Sequence, residues 1–205
     1  MSHPNNKVSS SSVDNQEIEL IVGNSSSNFS GVTSTMLQVT SLQKHMINLR
    51  IMGKHFVPDP SMTITFWEVA KMCRRPLSNG KWRIFHARRV DEMIQGVILK
   101  YVFRAKIKLV FSSAAQRKRS ASTVWLSNKM DAVIAMSNRS AKYLNKPPAK
   151  INLHGVQIDN YTPAENKQEA WQALGYGGKY GIGILGRVRE QKGVHLFLDA
   201  CIKVL

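Results

Sequence analysis

Short runs rich in Ile, Val, Leu and Phe recur along the first three-quarters of this chain, and helix-patterned stretches lie between most of them. The runs cover residues 18–22, 49–52, 82–86, 106–112, 131–137 and 150–154. Each is too short for a stable helix and is bounded by turn residues, so each reads as a strand. Helices between successive strands act as crossovers. The expected architecture is therefore α/β, with a mostly parallel sheet covered on both faces. Ligands of such sheets lie beyond the carboxyl ends of the strands. His86, Ser112, Ser137 and His154 stand at those ends and form a candidate rim.

Taken in order, residues 1–16 are Ser/Asn-rich and are expected to form a disordered tail. The first strand leads into Gly23, a run of small polar residues and Gly31, then a helix over 32–47 with Val32, Met36, Leu37 and Val39 at helical spacing. Strand, small-residue loop and helix make the opening unit of a nucleotide-binding fold, because a helix N-terminus can face an anion. An ordinary connection that binds nothing has the same pattern. Further helices are expected over 65–75, from 87 through 101, around Val124–Leu126 (the Trp125 segment), and from a cap at Ser137 or Asn138 through Leu144. This first domain spans 17–156. Residues 157–166, with Pro163, read as a linker. Residues 167–205 read as the opening of a second domain: a helix over 167–174, a turn, a strand over 180–185 and a helix over 191–204.

With 205 residues, 43% of them hydrophobic, the chain is globular. Its formal charge is +16, from 29 basic and 13 acidic residues. That excess favours an anionic partner: a phosphorylated substrate, an anionic membrane surface or nucleic acid. Cys73 and Cys201 stand in no C-x-x-C pair, and no His lies at ligand spacing from either, so they read as structural thiols in a reducing compartment. The N-terminus lacks a signal-peptide pattern, and the most apolar candidate span, 97–111, is broken by Lys100, Arg104, Lys106 and Lys108. A cytoplasmic protein is expected, with peripheral docking on a membrane face open to it.

Gly181, Gly183 and Gly186 match G-x-G-x-x-G on paper, but they lie inside the expected strand, whereas the dinucleotide fingerprint follows one. Gly178-Lys179-Tyr180 lacks the Ser/Thr of a P-loop. Arg187 and Lys192 carry more weight. Arg187 follows the strand and Lys192 precedes the last helix, so both could converge on one diphosphate. Two solvated surface cations are the competing reading. His86 beside Arg88 and Arg89 could contact a sugar hydroxyl or an acidic group; a structural His next to a basic turn is the alternative. Asp91 and Glu92 could simply neutralise that turn. Arg74-Arg75, Arg104-Lys106-Lys108 and Arg117-Lys118-Arg119 are scattered and lack an aromatic-interleaved RNA motif or a DNA-reading pattern, so a solvated basic face is the default.

His154-Gly155-Val156, a linker with Tyr161 and Pro163, and Gly186-Arg187 followed by Lys192-Gly193 resemble the family 4 retaining glycosyltransferases of the GT-B fold. The segments 85–89, 111–117 and 130–135 are similar to lipopolysaccharide core mannosyltransferases of α-proteobacteria. The resemblance implies a complete N-terminal Rossmann-like domain on the acceptor side. Of the C-terminal Rossmann-like donor domain it implies only the first β/α unit. It assigns Arg187 and Lys192 to the donor diphosphate, where they replace a metal ion and stabilise the leaving group. Gly31 would approach the donor phosphate through backbone amides, and His86 would contact the donor sugar. Gly186 and His154 would belong to the substrate-binding frame. Arg88 and Arg89 are assigned to an acidic inner-core acceptor sugar.

The partners so implied are a nucleotide-sugar donor, GDP-mannose by resemblance, a lipid-linked acidic oligosaccharide and the anionic inner membrane face. No metal, cofactor or specific nucleic acid is implied. Gln157 departs from the family's Asn-Gly-Val-Asp junction, and the family's Glu-x7-Glu motif has no counterpart up to Leu205. A truncated chain of little activity on its own is the expectation. The competing function is a non-catalytic basic module that binds anionic membrane or nucleic acid.

Overall fold

The computed structural model describes residues 17–204 apart from Val156, Gln157, Asp159, Asn160, Arg187 and Arg189. The expected tail over 1–16 lies outside the described residues. The chain divides into two compact units, Met1–Val156 and Gln157–Leu205.

The first unit is built on seven parallel strands: β1 (Leu20–Gly23), β2 (Leu49–Met52), β3 (Thr63–Ile64), β4 (Arg83–Ala87), β5 (Ile107–Ser113), β6 (Ala132–Ala135) and β7 (Lys150–Ile151). Their order across the sheet is β3-β2-β1-β4-β5-β6-β7. The chain runs outward from β1 to β3, returns past β1, and runs outward the other way from β4. The order reverses between β1 and β4, and their carboxyl ends therefore flank a crevice. The helices are α1 (Gly31–Gln43), α2 (Phe66–Met72), α3 (Val90–Val97), α4 (Ala121–Asn128) and α5 (Asn138–Ala141).

Alternation along the strands divides the core between the two faces. Ile21, Phe85, Ala87, Leu109 and Phe111 face one side and pack with Met93 and Leu99 from α3 and its extension, Val69 from α2 and Leu126 from α4. Leu20, Val22, Leu49 and Ile51 face the other and pack with Met36 of α1. Cys73 is buried in the first cluster, and burial raises its thiol pKa to about 11. Unionised and enclosed, it is the structural thiol expected from its isolation in the sequence.

Helix starts are fixed by local chemistry. Ser30, Thr65, Ser120 and Ser137 each accept a hydrogen bond from a backbone N–H in the first turn of the following helix. Thr65 and Glu68 complete a reciprocal capping box. The helix expected through Tyr101 instead ends at Val97 and continues as a π-helical turn over Ile98–Val102. The wider turn places Leu99 in the core and leaves Tyr101 and Val102 exposed.

Three expectations change. β3 is an edge strand of only two residues beyond Pro58 and Pro60, too short to carry a sequence pattern. β7 ends at Ile151, so His154 lies in exposed coil past the strand. Residues 180–185 form no strand. No second strand occurs among the described residues of their unit, and without a ladder partner Ile182 and Leu185 remain 85% and 98% exposed. That unit contains α6 (Lys167–Ala173) and α7 (Val194–Val204). Trp171 of α6 donates its indole N–H to the Gly178 carbonyl at 3.0 Å, closing the turn after the helix.

α3 lies so close to the sheet that a Cβ on Gly96 would sit 2.9 Å from both Leu109 Cδ2 and Phe85 Cδ1. Both neighbours are buried and cannot swing away. Gly96→Ala is expected to lower unfolding stability by about 1–3 kcal/mol, read as a lower urea midpoint with an unchanged slope.

Candidate active site at the carboxyl ends of the strands

Beyond β4 and β5 lies a cleft of about 450 Å³, set between the first turns of α1 and α4. Its apolar floor is Phe111 with Val32; Arg88, Arg89 and Arg119 wall it. β4 brings its loop to this place because it pairs with both β1 and β5.

The loop after β4 is held by Glu92, which is 1% exposed. Its carboxylate accepts hydrogen bonds from the backbone N–H of Arg88 at 2.7 Å and of Arg89 at 3.2 Å, and from the Ser25 hydroxyl at 3.4 Å. A carboxylate three residues into a helix can reach back to the free N–H groups before it. Asp91 is the closer acceptor of that same Ser25 hydroxyl, so the two carboxylates share one donor. β1 must end in a residue without a side chain, since a Cβ on Gly23 would lie 2.9 Å from Glu92 Cγ. Asp91 and Glu92 thus do more than neutralise a basic turn: they tie the β1 and β4 loops together.

The two arginines act separately. Arg89 Nη2 donates to the Ser30 hydroxyl at 2.8 Å and the Thr33 hydroxyl at 2.9 Å, binding the β4 loop to the first turn of α1. Burial lowers the pKa of Arg88, and the nearby Glu92 charge opposes that shift. Among the described residues, the buried Nη1 atoms of both arginines have no hydrogen-bond partner. Sequence reasoning placed Arg119 in a solvated basic run. Instead it turns inward, hydrogen-bonds Ser113 and sits 5.3 Å from the Phe111 ring centroid. Its Nε and Nη1 are also buried without partners. The side chain crosses an irregular loop, so no periodicity in the sequence marks it.

His86 Nε2 lies 2.7 Å from the Ser112 hydroxyl. Burial, reinforced by the Arg88 charge, lowers its pKa to about 3. The imidazole is neutral at physiological pH and suits hydrogen bonding better than proton transfer. Gly31 opens α1, and nothing lies within 4 Å of where its Cβ would be, so the space over that turn is free.

Of the sequence candidates the cleft is lined by Arg88 and Arg89; His86 on β4 and Gly31, next to the lining residue Val32, stand beside it without lining it. The cleft does not gather His154. In the second unit, Gly186 has a φ of +137°, and Lys192 is exposed at the end of a 3-10 turn over Glu190–Lys192 that precedes α7. Arg187 and the junction residues Val156 and Gln157 lie outside the described residues. Among the described residues no group of three His, Cys, Asp or Glu side chains is placed to hold a metal ion. Nor is any described helix long and apolar enough to cross a membrane.

Comparison with known proteins gives this geometry its relatives. The chain is 38% identical over 194 residues to the lipopolysaccharide core biosynthesis mannosyltransferase LpcC of Rhizobium leguminosarum bv. viciae, a match over 94% of this chain and 54% of LpcC. It is 37% identical over 195 residues to the corresponding enzyme LpsB of Rhizobium meliloti, covering 94% of this chain and 55% of LpsB. The chain is thus similar to these glycosyltransferases along nearly all of its own length. It spans about half the length of these mannosyltransferases. No protein-family model matches it. In fold it is similar to Anabaena Alr3699/HepE, solved with UDP and glucose (TM-score 0.62) and with UDP-glucose (TM-score 0.63). Each covers 91% of this chain and 58% of the neighbour at 17% identity. The fold is thus the GT-B type, its seven-stranded parallel sheet forming the N-terminal Rossmann-like domain.

Two measurements check the site. Nitrogen-15 NMR of the His86 ring is expected to show no titration between pH 5 and 8. Because the folded pKa lies below the unfolded value, the unfolded chain takes up this proton first. The His86 contribution is therefore intact above about pH 6.5 and is lost progressively as pH falls from there toward 3. Glu92→Ala leaves two loop N–H groups without their acceptor and is expected to cost about 3 kcal/mol in urea unfolding.

Proposed function

We propose that this chain carries the acceptor-side domain and part of the donor-side domain of a retaining mannosyltransferase. Such an enzyme moves mannose from GDP-mannose to an acidic sugar of the lipopolysaccharide inner core. The observation that carries the reading is the arginine-walled cleft at the carboxyl ends of β4 and β5, in a chain 38% identical to LpcC along 94% of its length. The Anabaena neighbour, solved with UDP-glucose, supports a nucleotide sugar as the donor class.

In the reaction, the bond from the sugar's anomeric carbon to the donor diphosphate breaks and a bond to an acceptor hydroxyl forms on the same face. The nucleoside diphosphate leaves with the electron pair of the broken bond, and the acceptor proton passes to its departing phosphate oxygen. Arg187 and Lys192 offset the charge that grows on the leaving group, in place of a metal ion. Neutral His86 hydrogen-bonds the donor sugar. The Gly31 turn presents backbone N–H groups to the donor phosphate. Arg88 and Arg89 face the acidic acceptor. Gly186 and His154 frame the donor side.

A peripheral position on the cytoplasmic, anionic face of the inner membrane suits the +16 charge and the lipid-linked acceptor. Lys106 and Lys108 stack on Trp82, and Lys129 on Trp125, toward the amino ends of the strands. That end of the sheet is opposite the cleft. Lipid contact is therefore assigned to exposed Arg117 and Lys118 at the cleft rim.

The test uses a protein that continues this chain to the length of LpcC, supplied with labelled GDP-mannose and core lipid. Label is expected to reach the lipid with retained configuration, equally with and without EDTA. Arg187→Ala or Lys192→Ala is expected to reduce turnover about 100-fold or more. Unchanged turnover in both variants, or strict dependence on a divalent ion, would overturn the assigned roles.

A further inference from the structure

We infer that Arg119 and Arg88 form a two-guanidinium clamp for the carboxylate of a sugar acid, seated over the Phe111 ring in the cleft beyond β4 and β5. The inference deepens the transferase reading and rests on it for the identity of the ligand as the acceptor. The clamp itself stands on geometry. Among the described residues, Arg119 Nε and Nη1 and Arg88 Nη1 are buried without acceptors; Arg89 Nη1 is too, but that side chain is anchored through Nη2 to Ser30 and Thr33. Neither arginine forms an ion pair among the described residues. Glu92, whose charge acts on Arg88, is occupied by backbone N–H groups and the Ser25 hydroxyl.

Both arginines line the cleft, and buried guanidinium N–H groups without acceptors are costly, so an anion that enters and draws them toward it relieves that cost. A carboxylate matches the guanidinium fork with two coplanar oxygens. The Arg119 guanidinium is held over Phe111, 5.3 Å from the ring centroid, which limits its swing before any ligand arrives. The rest of the cleft suits one pyranose ring: about 450 Å³, with Phe111 and Val32 as apolar surface and the Thr123 hydroxyl at the rim. Burial lowers the pKa of both arginines, and an incoming anion offsets that cost.

The test titrates the 205-residue chain with methyl β-D-glucuronide, methyl β-D-glucoside and inorganic pyrophosphate, followed by NMR of the arginine Nε–H groups. The expected result is binding of the glucuronide over the glucoside, with the Arg119 and Arg88 signals shifting together. Arg119→Gln is expected to weaken glucuronide binding about 10-fold or more, and Arg119→Lys to retain only part of it. Arg74→Gln, an exposed change far from the cleft, should alter it less than about twofold. Circular dichroism and the unaltered amide spectrum establish that each variant is folded.

Equal binding of glucuronide and glucoside, or equal affinities for the Arg119→Gln and Arg74→Gln variants, would overturn the clamp. Pyrophosphate engaging these arginines in preference to the glucuronide would also overturn it, because the site would then serve phosphate. Arg119-dependent glucuronide binding in a protein that transfers no mannose supports the clamp and overturns the transferase reading alone. Transfer that proceeds in a chain indifferent to the glucuronide does the reverse.

Discussion

The buried carboxylate of Glu92 is the interaction on which the first unit's site depends. It lies on α3, accepts the N–H groups of Arg88 and Arg89 from the loop after β4, and takes a hydroxyl from Ser25 in the loop after β1. Those loops flank the point where the strand order reverses. One acidic side chain thus fixes both walls of the crevice that parallel α/β sheets use for ligands. The close approach of Gly23 to Glu92 belongs to the same arrangement, since any side chain there would displace the carboxylate.

From that anchor the charges are distributed by function. Arg89 is spent on Ser30 and Thr33, so it steadies the first turn of α1. Arg88 and Arg119, like Nη1 of Arg89, keep buried N–H groups without a partner among the described residues, and their charge is less screened there than on the surface. His86 is neutral because it is buried and, to a lesser extent, because it sits beside the Arg88 charge. The site combines strong anion attraction with a neutral hydrogen-bonding ring. That combination suits a reaction whose main demand is to position two substrates and stabilise departing negative charge.

The second unit is held by fewer contacts. Trp171 packs against Tyr176 and closes a turn onto the Gly178 carbonyl, but residues 180–185 have no neighbouring strand among the described residues. The chain spans 54% of LpcC. Where the apolar residues of the first unit find a sheet, those of the second, such as Ile182 and Leu185, remain in solvent. The difference follows from the ladder: a parallel strand gains its hydrogen bonds only from strands beside it.

The sequence by itself determined the α/β class, the alternation of strands and helices over β1, β2 and β4 to β6, the cap at Ser137, and the resemblance carried by segments such as 85–89. These are local matters of periodicity, turn chemistry and residue order, legible over a few positions. His86, Arg88 and Arg89 were readable as candidates because they share one strand end. The tertiary structure alone decided that Glu92 is buried, that Arg89 serves α1, and that Arg119 leaves its basic run to lie over Phe111. It also decided that His154 lies past its strand and that residues 180–185 remain unpaired. Each depends on partners distant in sequence or across an irregular loop. Charge is written into a residue's identity, but whether that charge is solvated, paired or left waiting for a ligand depends on what the fold places around it.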